Sequence, residues 1–275
     1  MDNGEILRAE IPTKFECFRE YLETNTRHVL ALNLTGALPE RKTAFPLSAT
    51  TQPTGSRIVG PAFISEAFPW PINPEDSQPL CFIAQLNLAQ LPPLDGYPHS
   101  GLLQFFHIPG CEASTENNCV VRLVPESEFE RGHLEQEPEP QSFTLSKGYF
   151  EVQGQYYDQF PTNNDYRLPE IPDPNHMDGD EPIDVEDISL ELLNLNPTDH
   201  IFGAGWASFI FADPRYYPEN GITGWELLFQ VYPLYDPVSK AELELGDAGV
   251  INFFIHPEDR RNQDFSRVRC HVDCH

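Results

Sequence analysis

Pro79-Leu80-Cys81-Phe82-Ile83-Ala84-Gln85-Leu86-Asn87-Leu88 is the stretch on which the fold turns. Leu80, Phe82, Ala84, Leu86 and Leu88 alternate, which predicts a strand with one buried face. Gln85 stands alone among apolar neighbours. A strand of the same kind returns at Glu226-Leu227-Leu228-Phe229-Gln230-Val231, again with a single amide. On either side the echo continues. Ser56-Arg57-Ile58-Val59-Gly60 is matched by Asp199-His200-Ile201-Phe202-Gly203, and Gly101-Leu102-Leu103-Gln104-Phe105-Phe106 by Gly249-Val250-Ile251-Asn252-Phe253-Phe254. The offsets are 143, 145 and 148 residues, so three echoes keep one order. Ordered self-similarity of this kind predicts one structural unit used twice. Each lone amide (Gln85, Gln104, Gln230, Asn252) is expected to satisfy backbone groups where the units meet, or else to floor a polar cleft.

Outward from these strands the chain reads as mostly β. Leu30, Leu32 and Leu34 alternate, and Val120–Val124, Tyr149–Val152, Val250–Ile255 and Val268–Val272 are further strand candidates. Two helices are predicted. Thr13-Lys14-Phe15-Glu16 has the form of a capping box, with Phe15, Phe18 and Leu22 at helical spacing and an end near Asn25. Ile188, Leu192 and Leu195 share a second stripe over Asp184–Leu195. The 27 prolines cut the chain into short elements and argue against a helical bundle. The fold class is therefore α+β: β-rich and internally duplicated, with antiparallel or mixed sheets and few helices. Residues 1–54 read as an N-terminal helix and strand extension, 55–154 as the first unit, 155–198 as an acidic Pro-rich insertion plus helix, and 199–275 as the second unit.

Of the 275 residues, 43 are acidic and 17 basic, a formal net charge of −26. Such a polyanion is repelled by nucleic acid and by anionic lipid, so the partner expected is a cation or a basic protein surface. The charge is concentrated. Between Glu126 and Asp187 there are 17 acids and 3 bases, a net of −14 in 62 residues. Within this stretch, Tyr156 to Pro182 has five prolines and no apolar period, and reads as an exposed insertion. Its acids Asp158, Asp165, Glu170, Asp173, Asp178, Asp180 and Glu181 are the candidate partner-binding charges. Tyr157, Phe160 and Tyr166 are the candidate apolar anchors.

No catalytic apparatus is legible. There is no GxSxG, P-loop, HExxH or dinucleotide glycine pattern. Cys270-His271-Val272-Asp273-Cys274-His275 gathers metal-ligating types, but on a strand they divide between two faces, and no metal is assigned. His200 followed by Asp213 has the types of a base and its orienter, although a structural histidine is the simpler reading. Asp178-Gly179-Asp180-Glu181 lacks the full spacing of a calcium loop. No cofactor and no catalytic residue are expected. Met1-Asp2-Asn3-Gly4-Glu5 carries no basic start or apolar run, which predicts a cytoplasmic chain whose six cysteines stay reduced.

The repeated blocks also resemble a known family. Arg57-Ile58-Val59-Gly60-Pro61, Phe68-Pro69-Trp70-Pro71, the stretch from Pro79 to Leu88 and Gly101-Leu102-Leu103-Gln104-Phe105-Phe106 occur in order. They are followed by His200, Asp213-Pro214-Arg215, Trp225-Glu226-Leu227-Leu228-Phe229-Gln230, Gly246-Asp247-Ala248-Gly249 and Asp264-Phe265-Ser266-Arg267-Val268. Together these are similar to the YwqG-like family, the DUF1963 domain, over roughly residues 55 to 272. Where family members carry a Gly-Gly pair, this chain has Val59-Gly60 and Phe202-Gly203. The resemblance implies a duplicated α+β unit and no generally assigned reaction. It also implies, for some members, a role as immunity proteins beside bacterial polymorphic toxins. Resemblance and charge together give the expectation of a cytosolic immunity protein that occludes a basic toxin, such as a nuclease effector. The alternative is a small-molecule-binding protein or enzyme that uses a cleft between the units near Gln85, Gln104, His200 and Gln230.

Overall fold

The computed structural model describes residues 6–38, 52–108, 116–138, 144–162, 164–169, 195–196, 200–246 and 249–274. In chain order the strands begin with β1 (Leu7–Arg8), β2 (Arg27–Leu38), β3 (Arg57–Ile58), β4 (Ala62–Ile64), β5 (Cys81–Asn87) and β6 (Leu102–His107). Next come β7 (Cys119–Val124), β8 (His133–Glu135), β9 (Thr144–Lys147), β10 (Tyr149–Gln159) and β11 (Ile201–Phe202). The last are β12 (Glu226–Val231), β13 (Leu234–Tyr235), β14 (Glu242–Leu245), β15 (Val250–Ile255) and β16 (Arg269–Asp273). Two short α-helices, α1 (Arg19–Thr24) and α2 (Pro257–Asn262), and several short 3-10 helices accompany the strands among the described residues. The β-rich class read from the sequence holds. No helix among the described residues is long and apolar enough to cross a membrane.

One sheet of eleven strands organises the chain, in the order β16-β15-β12-β11-β2-β10-β3-β5-β6-β7, with β1 added parallel to β10. Every other pairing in it is antiparallel. The long strands β2 and β10 pair over eleven positions and form its centre, so the strand predicted at Leu30–Leu34 is an axis of the fold. On both sides of that axis the ladders carry the same register. Gln85 faces Gln104 across β5–β6, and Gln230 faces Asn252 across β12–β15. A bulge interrupts the first ladder between Phe82 and Ala84 and the second between Leu227 and Phe229.

The bulge corrects one detail of the sequence reading. Leu80, Phe82, Ala84, Leu86 and Leu88 do not share one face. The extra residue turns the strand over. Leu80 and Phe82 therefore pack in an outer cluster with Ala62, Ile64 and Phe106, while Ala84, Leu86 and Leu88 enter the main core.

The sheet curls into a nearly closed barrel, and its interior is that main core. Phe105 on one side meets Phe229 and Phe253 from the other at ring-centroid distances of 4.6 and 5.1 Å. The edge strands β7 and β16 do not pair as a ladder. Asn118 bridges them instead: its amide nitrogen donates to the Cys270 carbonyl at 2.5 Å, and its oxygen accepts from the Cys270 amide at 3.0 Å. Because the outer face is apolar too, loops cover it. Trp70 packs over β5 and β6, and Ala207, Phe209 and Ile222 pack over Ile201, Leu227 and Phe254.

The N-terminal helix departs from its prediction at the start only. Residues Thr13–Phe18 wind as a 3-10 helix before α1, and Thr13 makes no side-chain cap. Glu16 is drawn off by Arg19, which donates to both its oxygens at 2.7 and 2.8 Å. A bidentate charge-assisted pair outcompetes a single bond to a backbone amide. The second predicted helix falls outside the described residues, apart from Leu195, which lies in a turn. At the Val59-Gly60 turn both residues have positive φ, 52° and 79°. Valine there strains the backbone, yet the conformation of a Gly-Gly pair is kept.

Candidate functional site

The four residues expected to line a cleft are all engaged in holding the fold. Gln85 accepts from the Phe63 amide at 2.9 Å and donates to the carbonyls of Pro53 and Gly55. Gln104 donates to the Phe63 carbonyl at 2.7 Å and accepts from Arg122. Gln230 accepts from the Ser208 amide at 2.8 Å, and Asn252 donates to the Ser208 carbonyl at 3.0 Å. The amides thus serve backbone groups, as read from the sequence. Those groups belong to the covering loops rather than to a junction between units. His200 accepts from the Tyr232 amide at 3.3 Å, and burial pulls its pKa down to about 4. Asp213 is held by Arg215 and the Tyr166 amide, so His200 and Asp213 form no base–orienter pair.

The acidic stretch divides. Glu170, Asp173, Asp178, Asp180 and Glu181 lie outside the described residues. Residues 156–162, by contrast, are not an exposed insertion. Tyr157 and Phe160 are fully buried, as ring clusters beside β10 and α1. Asp165 is buried in an ion network: it meets Arg167 at 2.7 Å and Arg215 at 2.8 Å, while Arg215 also meets Asp213 at 2.6 Å. Tyr166 is half-buried: its ring lies under the Arg215 guanidinium, 5.2 Å from ring centre to carbon, and its hydroxyl accepts from the Gly224 amide at 2.7 Å. Burial by itself would raise the Asp165 carboxyl. The hydrogen bond from Arg167, the two guanidinium charges and the Ala207 amide outweigh it and hold the carboxyl well below the usual range.

Where the two halves of the sheet meet, the surface opens into a cavity of about 760 Å³. Its walls come from β2 and β10 (Val29, Tyr156, Tyr157) and from the loop that carries Leu94 and Tyr97. Tyr97 packs on Phe202 of the second half at 5.1 Å, and Tyr156 donates to the Pro93 carbonyl at 3.0 Å, fixing that loop across the junction. Charged and polar side chains also stand at the cavity: Asp158, His28, Arg260 and the exposed Asp95. Asp158 is nearly buried, pairs with Arg8 at 3.0 Å and shares a short hydrogen bond with His28 Nδ1. His28 leaves its ring three-quarters exposed. Arg260 reaches over the Tyr97 ring, 5.4 Å from its centre, while paired with Glu226 at 2.6 Å. The Tyr97 hydroxyl is buried with no hydrogen-bond partner among the described residues, a cost of about 1–3 kcal/mol. Burial also pushes that hydroxyl above its ordinary pKa.

Of these groups only Asp158 was singled out in the sequence. His28 lies 130 residues from its partner and Tyr97 sits in an ordinary turn context, so no local pattern marks them. The tract at the C-terminal end divides by face as expected: Cys270 and Val272 enter the core, and Asp273 accepts from the amides of Ile210 and Phe211. Cys17 and Cys274 are free thiols, and the Cys119 thiol donates to the Val268 carbonyl at 3.3 Å.

No curated protein matches the sequence. The profile of a family described as a domain of unknown function, DUF1963, matches residues 56–274, which takes in every strand from β3 to β16 and leaves out β1, α1 and β2. The chain belongs to the DUF1963 family.

Proposed function

We propose that the protein is a cytosolic binding protein whose acidic surface docks a basic protein partner, in the manner of an immunity protein that covers a toxin such as a nuclease. One observation carries this reading: the cations among the described residues are already engaged by other groups of the chain. Of the fourteen Lys and Arg side chains described, nine pair with carboxylates: Arg8, Arg19, Arg131, Lys147, Arg167, Arg215, Arg260, Arg267 and Arg269. The other five are held by carbonyls, by a side-chain amide, by a phenol or over rings, as Arg27 is over Trp206 at 3.9 Å and Arg122 is by Gln104. The net charge is −26, and among the described residues no unengaged Lys or Arg offsets the acids, so a positive surface is steered in.

The expected result is a captured partner with a net positive charge, whose association rate falls about tenfold or more as salt rises to screening levels. Reversing Asp173, Asp178, Asp180 and Glu181 to Lys slows association several-fold and leaves the melting temperature unchanged. A partner that binds with salt-independent kinetics would sink the reading. We further infer that the two halves are copies of one unit. The matched registers and bulges support this, and superposing residues 56–107 on 201–255 tests it, with Gln85 expected on Gln230 and Phe105 on Phe253.

A second reading is favoured by the junction cavity. Its volume lies within the range of small-molecule sites, about 300–1,000 Å³, and it has mostly apolar walls with a few polar groups. On this reading the cavity holds a small ligand between the two halves.

A further inference from the structure

The two residues that follow the buried Arg215 are not buried themselves. Tyr216 and Tyr217 stand at the surface, 68% and 42% exposed. Leaving two adjacent aromatic rings in water forgoes the burial that a fold normally takes from them, and tyrosine is among the residues that most often anchor a protein interface. Their backbone is also set before anything docks. Asp213 accepts from both the amide and the guanidinium of Arg215, so the turn is pinned to the ion network beneath it. The amides of Tyr216 and Tyr217 donate to the carbonyls of Asp213 and Pro214 at 3.2 and 3.4 Å. Asn220 donates to the Pro214 carbonyl at 2.8 Å, and Pro214 and Pro218 stiffen the chain on either side. The two rings meet edge to face, with centroids 5.3 Å apart and planes at 88°. A ledge held this way has little freedom left to lose on binding.

The charge around the ledge has one sign. Beneath it, Asp165, Asp213, Arg167 and Arg215 neutralise one another. Glu219, two residues past Tyr217, is exposed and forms no ion pair among the described residues. Tyr166, whose hydroxyl ties to the Gly224 amide, precedes Glu170 by four residues. From Glu170 to Asp187 the sequence holds eight acids and no Lys or Arg. Ring faces attract cations. Of the two basic side chains, arginine fits better: its flat, weakly hydrated guanidinium can stack on a ring while its N–H groups donate in plane to a carboxylate. The ammonium of lysine holds its water and does not stack.

We propose that the Tyr216–Tyr217 ledge anchors the partner interface by seating arginine side chains of the basic partner, stacked on the tyrosine rings with N–H groups turned to Glu219. This rests on the reading that a basic protein docks on the acidic surface, and it adds which part of that surface and which basic side chain.

Fluorescence anisotropy of labelled nona-arginine and nona-lysine, titrated with the full chain at low salt, tests it, because the peptides share a charge and differ in the head group. Nona-arginine is expected to bind about fivefold or more tighter. Tyr216→Ala with Tyr217→Ala is expected to remove most of that advantage. The same pair leaves the nona-lysine affinity and the melting temperature near the parent's, since exposed side chains carry little of the fold. Tyr216→Phe with Tyr217→Phe keeps the rings and therefore keeps the advantage. If the two peptides bind equally and both are released by salt, the acidic surface docks cations but the tyrosines do not select among them, and the inference falls alone. If neither peptide binds, the inference and the docking reading fall together. An arginine preference that survives the loss of both rings seats the guanidinium elsewhere and overturns the proposal.

Discussion

Arg215→Ala is expected to lower the unfolding free energy by about 3–5 kcal/mol, read as a shift in the urea midpoint at constant slope. The size follows from what the substitution leaves behind. Arg215 is wholly buried between Asp165 and Asp213, and its removal strands two carboxylates with only Arg167 and backbone amides to meet them. It also takes away the guanidinium packed over Phe254 at 4.8 Å. For a fold of ordinary stability, about 5–15 kcal/mol, that is a large fraction of the whole. The pH dependence has a definite sign. The Asp165 carboxyl is depressed in the folded state, so its contribution is present above the unfolded carboxylate pKa of about 4. It is lost as pH falls below that value toward the folded one. In Arg215→Ala the depression shrinks, and the acid transition should move to higher pH. A variant that melts like the parent, with an unshifted acid transition, would show that the network is not ionised as drawn.

Phe105→Ala is expected to cost a similar amount, about 3–5 kcal/mol, by opening a cavity at the centre of the barrel. Phe105 is the ring through which β6 touches β12 and β15 on the opposite wall. The loss is therefore felt across the whole curled sheet. A double-mutant cycle with Phe253→Leu should return a coupling of about 0.5–1.5 kcal/mol. Additive losses would mean that the two walls do not meet through these rings.

The sequence made the strands legible and left the covering loops obscure. Alternation located β5, and short apolar runs that echo one another around a lone amide located β6, β12 and β15. Such patterns could not show that these strands are buried on both faces. Nor could they show that one extra residue at Ile83 sends Phe82 outward and Ala84 inward. The lone amides were legible as backbone-satisfying groups, since an isolated glutamine in an apolar strand must find partners. Which backbone they serve depends on contacts such as Gln104 with Phe63, 41 residues away, which no local window contains.

The acidic stretch misled for a different reason. Composition averages over side chains. Tyr157, Phe160 and Asp165 lie among prolines and acids in sequence, but they are taken into ring clusters and an ion network by segments 40 to 150 residues distant. The junction cavity was invisible for the same cause: His28 and Asp158 meet only because β2 and β10 pair along their full length.

The seam at Asn118 has a consequence for how the protein behaves at high concentration. A sheet that stops short of closing has two live edges, and an unpaired edge is a template on which a second chain can add strands. Here one primary amide stands in for a peptide group. It offers a donor and an acceptor to Cys270 in the positions that a neighbouring strand would use. Asn118→Ala removes that substitute rung and keeps the core. Its expected signature is a melting temperature close to the parent's together with faster growth of light scattering on storage. The Cys119 thiol, which donates to the Val268 carbonyl at 3.3 Å, and the Arg269–Glu116 pair cross the same seam, so a faster rise in scattering for Asn118→Ala than for Cys119→Ala would show that the amide is the link that caps the edge.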